Sequence, residues 1–306
     1  MTVRVSLVIP TQRRPQGLSL ALRSALAQTG VDAAAVEVVV ADNDAVPSAR
    51  EAVAAAAAGA PFPVVYVHEP AAGVANVRNA ALRVAKGGLI AFLDDDQEAP
   101  PIWLATLLAA GERHRADVVF GPVRARAPAT VVAHRAYFER FFSREGPAAE
   151  GPMPGYFGCG NSLLRRASLP SDQPFDAIRN HIGGEDDLLF GTLQAGGARF
   201  VWAPDAFVWE DPVPARLTLR YTLARAFAYG QGPSEHCASS SPPDWPGVAR
   251  WMAIGLAQAA VYGGLAAVKW ATGAADRAEA LDRAARGLGK TFWFHPFKMQ
   301  FYGRSA

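Results

Sequence analysis

The sequence predicts an α/β fold with a mostly parallel central sheet flanked by helices, followed by a helical C-terminal extension. Two observations carry this expectation. Over the first 120 residues, short β-rich runs alternate with helix-forming stretches, the pattern that parallel strands joined by right-handed crossovers produce. The β-rich runs are also nearly continuous in apolar residues, as strands are when helices cover both faces of their sheet.

Taken in order, strands are expected at residues 3–9, 36–41, 64–67, 89–93 and 117–120, and helices at 15–28, 47–58, 74–85 and 100–114. Pro15, Pro47 and Pro100 lie near the helix starts, where a missing N–H costs little. Residues 124–154 have no clear period, and the polar, Gly/Pro-containing part from 143 reads as a loop near a site. Regular patterning returns at 158–166, 185–194 and 198–202. Residues 216–230 read as a basic, aromatic helix, 234–246 as a Ser/Pro-rich linker, and 275–287 as a charged helix. The expected organisation is a catalytic domain over 1–232, with a nucleotide-binding half (1–120) and an acceptor half (121–232). A helical extension over 233–306 follows.

Half of the 306 residues are hydrophobic and 19% are charged, which favours a packed core over disorder. With 30 Lys and Arg against 28 Asp and Glu, the net charge of +2 gives no electrostatic reason for a nucleic acid partner. Cys159 and Cys237 have no CxxC spacing and are expected to be ordinary buried thiols. The first strand begins too early for a signal peptide to precede it, so the catalytic part is expected in the cytoplasm.

The sharpest feature is an apolar strand running into Asp94-Asp95-Asp96. In open α/β sheets, ligands bind beyond the carboxyl ends of the strands. Three adjacent acids repel one another unless a cation is present. In an extended segment Asp94 and Asp96 would point to one side. Mg²⁺ or Mn²⁺ held there would bridge to substrate phosphates. The plainer reading is a solvated acidic turn that caps the next helix. Asp42, after the second strand, suits a base N–H or ribose hydroxyls, or else an Asx turn. Pro10-Thr11 ends the first strand on the same edge. Arg78 and Asn79 occupy the first turns of a helix, where a guanidinium and a helix N-terminus suit a diphosphate. Glu185, Asp186 and Asp187 open another helix behind Gly183-Gly184. Acids there are favoured by the helix dipole, and one of them, Asp186, is the preferred general base for deprotonating a hydroxyl nucleophile.

In this order the motifs resemble family 2 glycosyltransferases of the GT-A fold: Pro10-Thr11, Asp42, Arg78-Asn79, Asp94–Asp96, the segment from Gly160-Asn161 to Arg166, and Glu185-Asp186. The resemblance spans roughly residues 3–230. The stretch from Val40 through Asp42-Asn43-Asp44 to Arg50 looks most like the succinoglycan-biosynthesis type of exopolysaccharide glucosyltransferase. The resemblance implies an inverting transfer from a UDP-sugar, UDP-glucose by this likeness, to a saccharide or lipid-linked oligosaccharide. Thr11 and Asp42 would hold the uridine and Arg78 the diphosphate. Asp94 and Asp96 would bind a divalent metal, with Asp95 near ribose or metal. Asp186 would be the base and Glu185 would place the acceptor. Two departures are Leu188, where relatives often have a second Asp, and the absence of a His near Trp209-Glu210.

Residues 251–268 form an apolar run flanked by Arg250 and Lys269, rich in Ala and Gly. Its composition favours an interfacial or packed helix over a membrane span. The aromatic and basic tail, from Lys290 to Lys298 with Phe301-Tyr302, resembles an interface anchor, a core-packed segment or an oligomer contact. Peripheral attachment to the cytoplasmic face of the inner membrane is the expectation, with a homo-oligomer as a further possibility. Two rival functions remain. A sugar nucleotidyltransferase would need a Gly-rich loop after the first strand, where Thr11-Gln12-Arg13-Arg14-Pro15 stands instead. A non-catalytic membrane-associated binding protein would not need the intact acidic pairs.

Overall fold

A computed structural model describes residues 3–181 and 184–299. The chain divides into two compact units: residues up to Arg124 with Ser143–Asp211, and Ala125–Phe142 with the residues from Pro212 onward.

The first unit opens with β1 (Val5–Thr11), α1 (Pro15–Leu26), β2 (Val36–Asp42), α2 (Arg50–Ala57), β3 (Val64–His68), α3 (Val74–Val84) and β4 (Leu89–Phe92). It continues through β5 (Gln97–Glu98), α4 (Trp103–Arg113), β6 (Val118–Phe120) and β7 (Val123–Ala125). After α5 (Arg135–Phe142) of the second unit come β8 (Gly151–Pro152), β9 (Ser162–Arg165), α6 (Glu185–Ala195), β10 (Phe200–Trp202) and β11 (Val208–Glu210).

The main sheet has the order β3-β2-β1-β4-β9-β6-β10-β8, and β5-β11-β7 form a small second sheet. Strands β3, β2, β1 and β4 are parallel, in agreement with the alternation of elements. β9 is antiparallel to both β4 and β6. Every residue of β1 and β2 is buried, which explains their nearly continuous apolar runs, and the buried Ser6 donates to Glu37 (2.6 Å) where polar residues interrupt them. Successive side chains feed opposite faces: Val5, Leu7 and Ile9 join one core cluster with Trp103 and Leu104, whereas Val8 joins another with Phe92 and Phe120. The register pairs Thr11 with Asp42 and places Val8 against Phe92, so the segments after β1, β2 and β4 emerge at one edge.

Asn161 ties that edge together. It is fully buried at φ 63, a left-handed conformation that Asn tolerates better than most residues. Its Nδ2 donates to the carbonyls of Pro122 (2.7 Å) and Ala206 (2.9 Å), and its Oδ1 accepts from Trp103 Nε1 (2.7 Å). Asn161→Ala leaves that indole N–H and the Ala206 carbonyl unmet, whereas the Pro122 carbonyl still accepts from Val208 N (3.0 Å). The expected loss is about 3 kcal/mol in urea unfolding, given roughly 1–3 kcal/mol per stranded buried group.

In the second unit, α5 is followed by α7 (Leu219–Ser239), α8 (Trp245–Ala271) and α9 (Arg277–Thr291). Two sequence expectations change here. Residues 234–239 are not linker but the last turns of α7, with Ser234 fully buried and its Oγ donating to Lys290 O (2.7 Å). Asp244 then caps α8 by accepting from Gly247 N (2.9 Å). Helix α7 also runs through residue 232, the expected domain boundary. The unit takes in the unpatterned stretch at 125–142, because Tyr137 and Phe138 of α5 are buried with Leu217 and Ala278. The Gly and Ala content of α8 and α9 reflects close approach: a Cβ on Gly255 would lie 2.5 Å from Gly287 O. Cys159 is buried and Cys237 is only half-buried; both are free thiols. Gly183 and Phe301-Tyr302 lie outside the described residues.

Candidate active site

The acid triplet follows β4 as a turn, in which Gln97 N donates to Asp94 O (3.0 Å). The extended arrangement expected from sequence does not hold here, so Asp94 and Asp96 do not share a direction through strand alternation. Each faces its own cation: Asp96 meets Arg14 at 2.6 Å, and Asp94 meets Arg78 at 3.7 Å. Their side chains stay 36% and 32% exposed. Asp95 turns inward, accepting from Thr11 Oγ1 (2.8 Å) and Arg14 (3.0 Å). Burial raises the pKa of Asp94; Arg78 opposes the rise and Asp96 adds to it. Asp95 is likewise raised by burial, with Thr11 and Arg14 opposing.

Arg78, from α3, is 5% exposed and donates to Glu185 Oε1 at 2.5 Å. It lies against the rings of Phe92 and Phe175, and its Nε is buried without a partner. Glu185 and Asp186 start α6 behind Gly184, whose φ of 79 suits a residue without Cβ. Burial raises the pKa of Glu185 against the pull of Arg78. Asp186 is half-buried and accepts from Cys159 N (3.2 Å) and Asp187 N (2.9 Å).

The segment 158–160 sits between the two acid groups. A Cβ on Gly158 would lie 3.2 Å from Asp186 Oδ2, and one on Gly160 would lie 2.1 Å from Asp94 Oδ2. Asp94 and Asp186 therefore line one locality, with Arg78 in reach of Asp94 and Glu185. Gly160→Ala pushes Asp94 aside without requiring a left-handed backbone. The expected result is about a hundredfold lower activity in a protein that melts as before, since misplacement of about 1 Å can cost that much.

Two sequence-assigned residues serve the scaffold. Asp42 is fully buried and accepts from Asp44 N (3.0 Å), Ala49 N (2.9 Å) and Tyr66 Oη (2.8 Å). Its carboxylate shapes the following loop rather than presenting a free oxygen to uridine. Asn79 spends both ends of its amide on Phe175, donating to its carbonyl at 2.8 Å and accepting from its N–H at 3.2 Å. Pro10 and Thr11 are buried at the end of β1.

Sequence reasoning missed Arg14, Arg144 and Glu210. Arg144 pairs with Glu210 at 2.7 Å. Glu210 of β11 pairs with Gln97 of β5, the residue after Asp96, which places this pair beside the acid triplet; burial raises the pKa of Glu210, opposed by Arg144 and reinforced by Asp96 and Asp94. Arg144 lies in the stretch read as a loop near a site, the one hint available. Among the described residues no three His, Cys, Asp or Glu side chains cluster at metal-ligand spacing. Asp94 and Asp96 still suit Mg²⁺ or Mn²⁺, because such an ion takes one or two carboxylates and completes its shell with water and substrate phosphates. A cavity of about 640 Å³ opens at the opposite edge of the sheet, beside Arg4, Lys86, Leu108 and Asp117, away from these acids.

The model of glycosyl transferase family 2 matches residues 6–171, more than half of the chain. The chain belongs to glycosyltransferase family 2. The succinoglycan biosynthesis protein ExoM of Rhizobium meliloti (strain 1021) is 36% identical to this glycosyltransferase over 233 residues, 75% of the chain and 74% of the relative. Among solved structures, the mannosyltransferase PcManGT of Pyrobaculum calidifontis, in complex with GDP-Man and Mn²⁺, superposes with a TM-score of 0.58 at 20% identity, covering 96% of this chain and 88% of that one. S. aureus TarS 1-349 in complex with UDP gives 0.53 at 16% identity, covering 94% and 90%. These likenesses establish the GT-A fold of the glycosyltransferase, including its mostly parallel sheet and helical C-terminal region.

Proposed function

We propose that this glycosyltransferase transfers a sugar, glucose, from UDP with inversion to a hydroxyl of a lipid-linked saccharide during exopolysaccharide assembly at the cytoplasmic face of the membrane. The observation that supports this most is the placement of Asp94 and Asp186 on either side of segment 158–160. The kinship with the succinoglycan protein supports the donor and acceptor classes.

In this reading Asp186 takes the proton of the acceptor hydroxyl as its oxygen bonds to the anomeric carbon. The bond from that carbon to the diphosphate oxygen breaks on the opposite face. Asp94 and Asp96 would hold a divalent ion, which would supply positive charge to the departing diphosphate. Arg78 adds a fixed cation and keeps Glu185 in place for the acceptor. Arg14 holds Asp95 and Asp96 in position, and Thr11 anchors Asp95 at the nucleotide edge. Asp42 acts through the loop that it shapes.

The test is a panel of UDP- and GDP-sugars incubated with and without Mg²⁺ or Mn²⁺, with release of the nucleotide as readout. UDP-glucose should be turned over in a chelator-sensitive way. Turnover of a GDP-sugar alone would refute the donor, and turnover undiminished by chelator would refute the metal.

A further inference from the structure

The near-neutral charge of the whole chain conceals a division. The first unit carries 16 Lys and Arg against 22 Asp and Glu, whereas the second carries 14 against 6, giving −6 and +8. The basic unit also contains α8, the one helix among the described residues that is long and apolar enough to cross a membrane. Only 11% of its most apolar stretch is buried, so it is not a core helix. Ile254, Ala257, Val261, Leu265 and Val268 recur every three or four residues and are all exposed, Val261 at 65% and Val268 at 60%. Arg250 continues this stripe, and the exposed Trp245 and Trp270 mark the two ends of the helix. Phe294, Phe297 and Lys298 add further exposed aromatic and basic groups.

The opposite face of α8 is covered along its length by α9. Thr291 Oγ1 donates to Met252 O (3.3 Å), Lys290 Nζ to Gln258 Oε1 (3.0 Å), and Arg283 to Tyr262 Oη (2.9 Å); Lys269 pairs with Asp276 at the far end. An α8 that crossed a bilayer would draw Glu279, Asp282, Arg283, Arg286 and Lys290 into hydrocarbon beside it, and ionised side chains resist that. Lying in the interface removes the conflict: the apolar stripe enters the acyl boundary while α9 stays in water. The surplus of cations selects a negatively charged surface.

We propose that the second unit docks on an anionic phospholipid leaflet, with α8 lying in the plane of the interface and not across it. This deepens the reading of a lipid-linked acceptor and rests on it only for its purpose. The test uses the full chain with vesicles of phosphatidylcholine alone or mixed with phosphatidylglycerol. Flotation is expected with the mixed vesicles only, reversed by high salt and by alkaline carbonate. Val261→Glu with Val268→Glu, both exposed on the stripe, should weaken vesicle affinity by about tenfold or more. Nucleotide release from a sugar donor in vesicle-free solution should not change, which separates this idea from the active-site reading. Equal flotation on both vesicle types, none on either, or resistance of the wild type to carbonate overturns the proposal. So does a double variant that converts a dimer into monomers without altering flotation. Salt reversal on the wild type keeps the test decisive even if the double variant misfolds.

Discussion

Asp186→Asn lowers the rate of sugar transfer by about a thousandfold, within the roughly 10²–10⁴-fold that a general base contributes. Asn occupies the same volume and can still accept from a backbone N–H at the start of α6, but it cannot take a proton from an acceptor hydroxyl. Donor binding should survive, because the hydrogen bonds of Asp186 go to Cys159 N and Asp187 N and not to Thr11, Arg78 or Asp94. Calorimetry with UDP and Mn²⁺ is expected to give an affinity within a few-fold of the wild type, alongside stopped turnover. A variant that retains near-normal turnover would remove Asp186 as the base. The same loss with equal loss of UDP binding would indicate a positioning role instead.

Asp94→Asn abolishes the metal-dependent part of nucleotide binding. Asp94 is held only loosely by Arg78, at 3.7 Å, while burial makes its own charge costly. A carboxylate in that state gains much from a divalent cation. Loss of one such ligand should weaken Mn²⁺-supported UDP binding by at least about a hundredfold, the upper end of what removing even an outer partner of a metal ligand costs. Metal-free binding should change little, because Arg78 keeps its bond to Glu185. Calorimetric titration of UDP with and without Mn²⁺ reads both arms. Equal affinities for variant and wild type in Mn²⁺ would refute the assignment.

Much of the first unit was legible because the signals are local. The observed β2, β3 and β4 lie within a residue of the expected runs, and α1, α3 and α4 fall inside theirs. The period of apolar residues reports backbone geometry and burial directly. Acids at strand ends were equally visible, since position after a buried strand is read from neighbours in the chain. Asp42 stayed open between a nucleotide contact and an Asx turn for the complementary reason: the partners that engage its carboxylate, Tyr66 and Ala49, are not marked in the local pattern. Arg144 was marked only by its place in a loop expected near the site, and its pairing with Glu210 went unseen, because each matters through the other, far away in the chain. The extent of the second unit was hidden likewise, since α5 is short and its partners follow some eighty residues later, at Leu217 and beyond.

By itself, the sequence determined the alternation of elements, the parallel half of the sheet, the edge on which the acids gather and the family. The tertiary structure alone decided that β9 runs antiparallel between β4 and β6, that the turn sends Asp94 and Asp96 to different cations, and that segment 158–160 carries Asp186 next to Asp94. It also decided that net charge separates between the two units. The reason is the same throughout. Local patterns fix how each segment folds and which face it buries, while distant groups meet only through strand register and the packing of loops, and no neighbour in the chain records those.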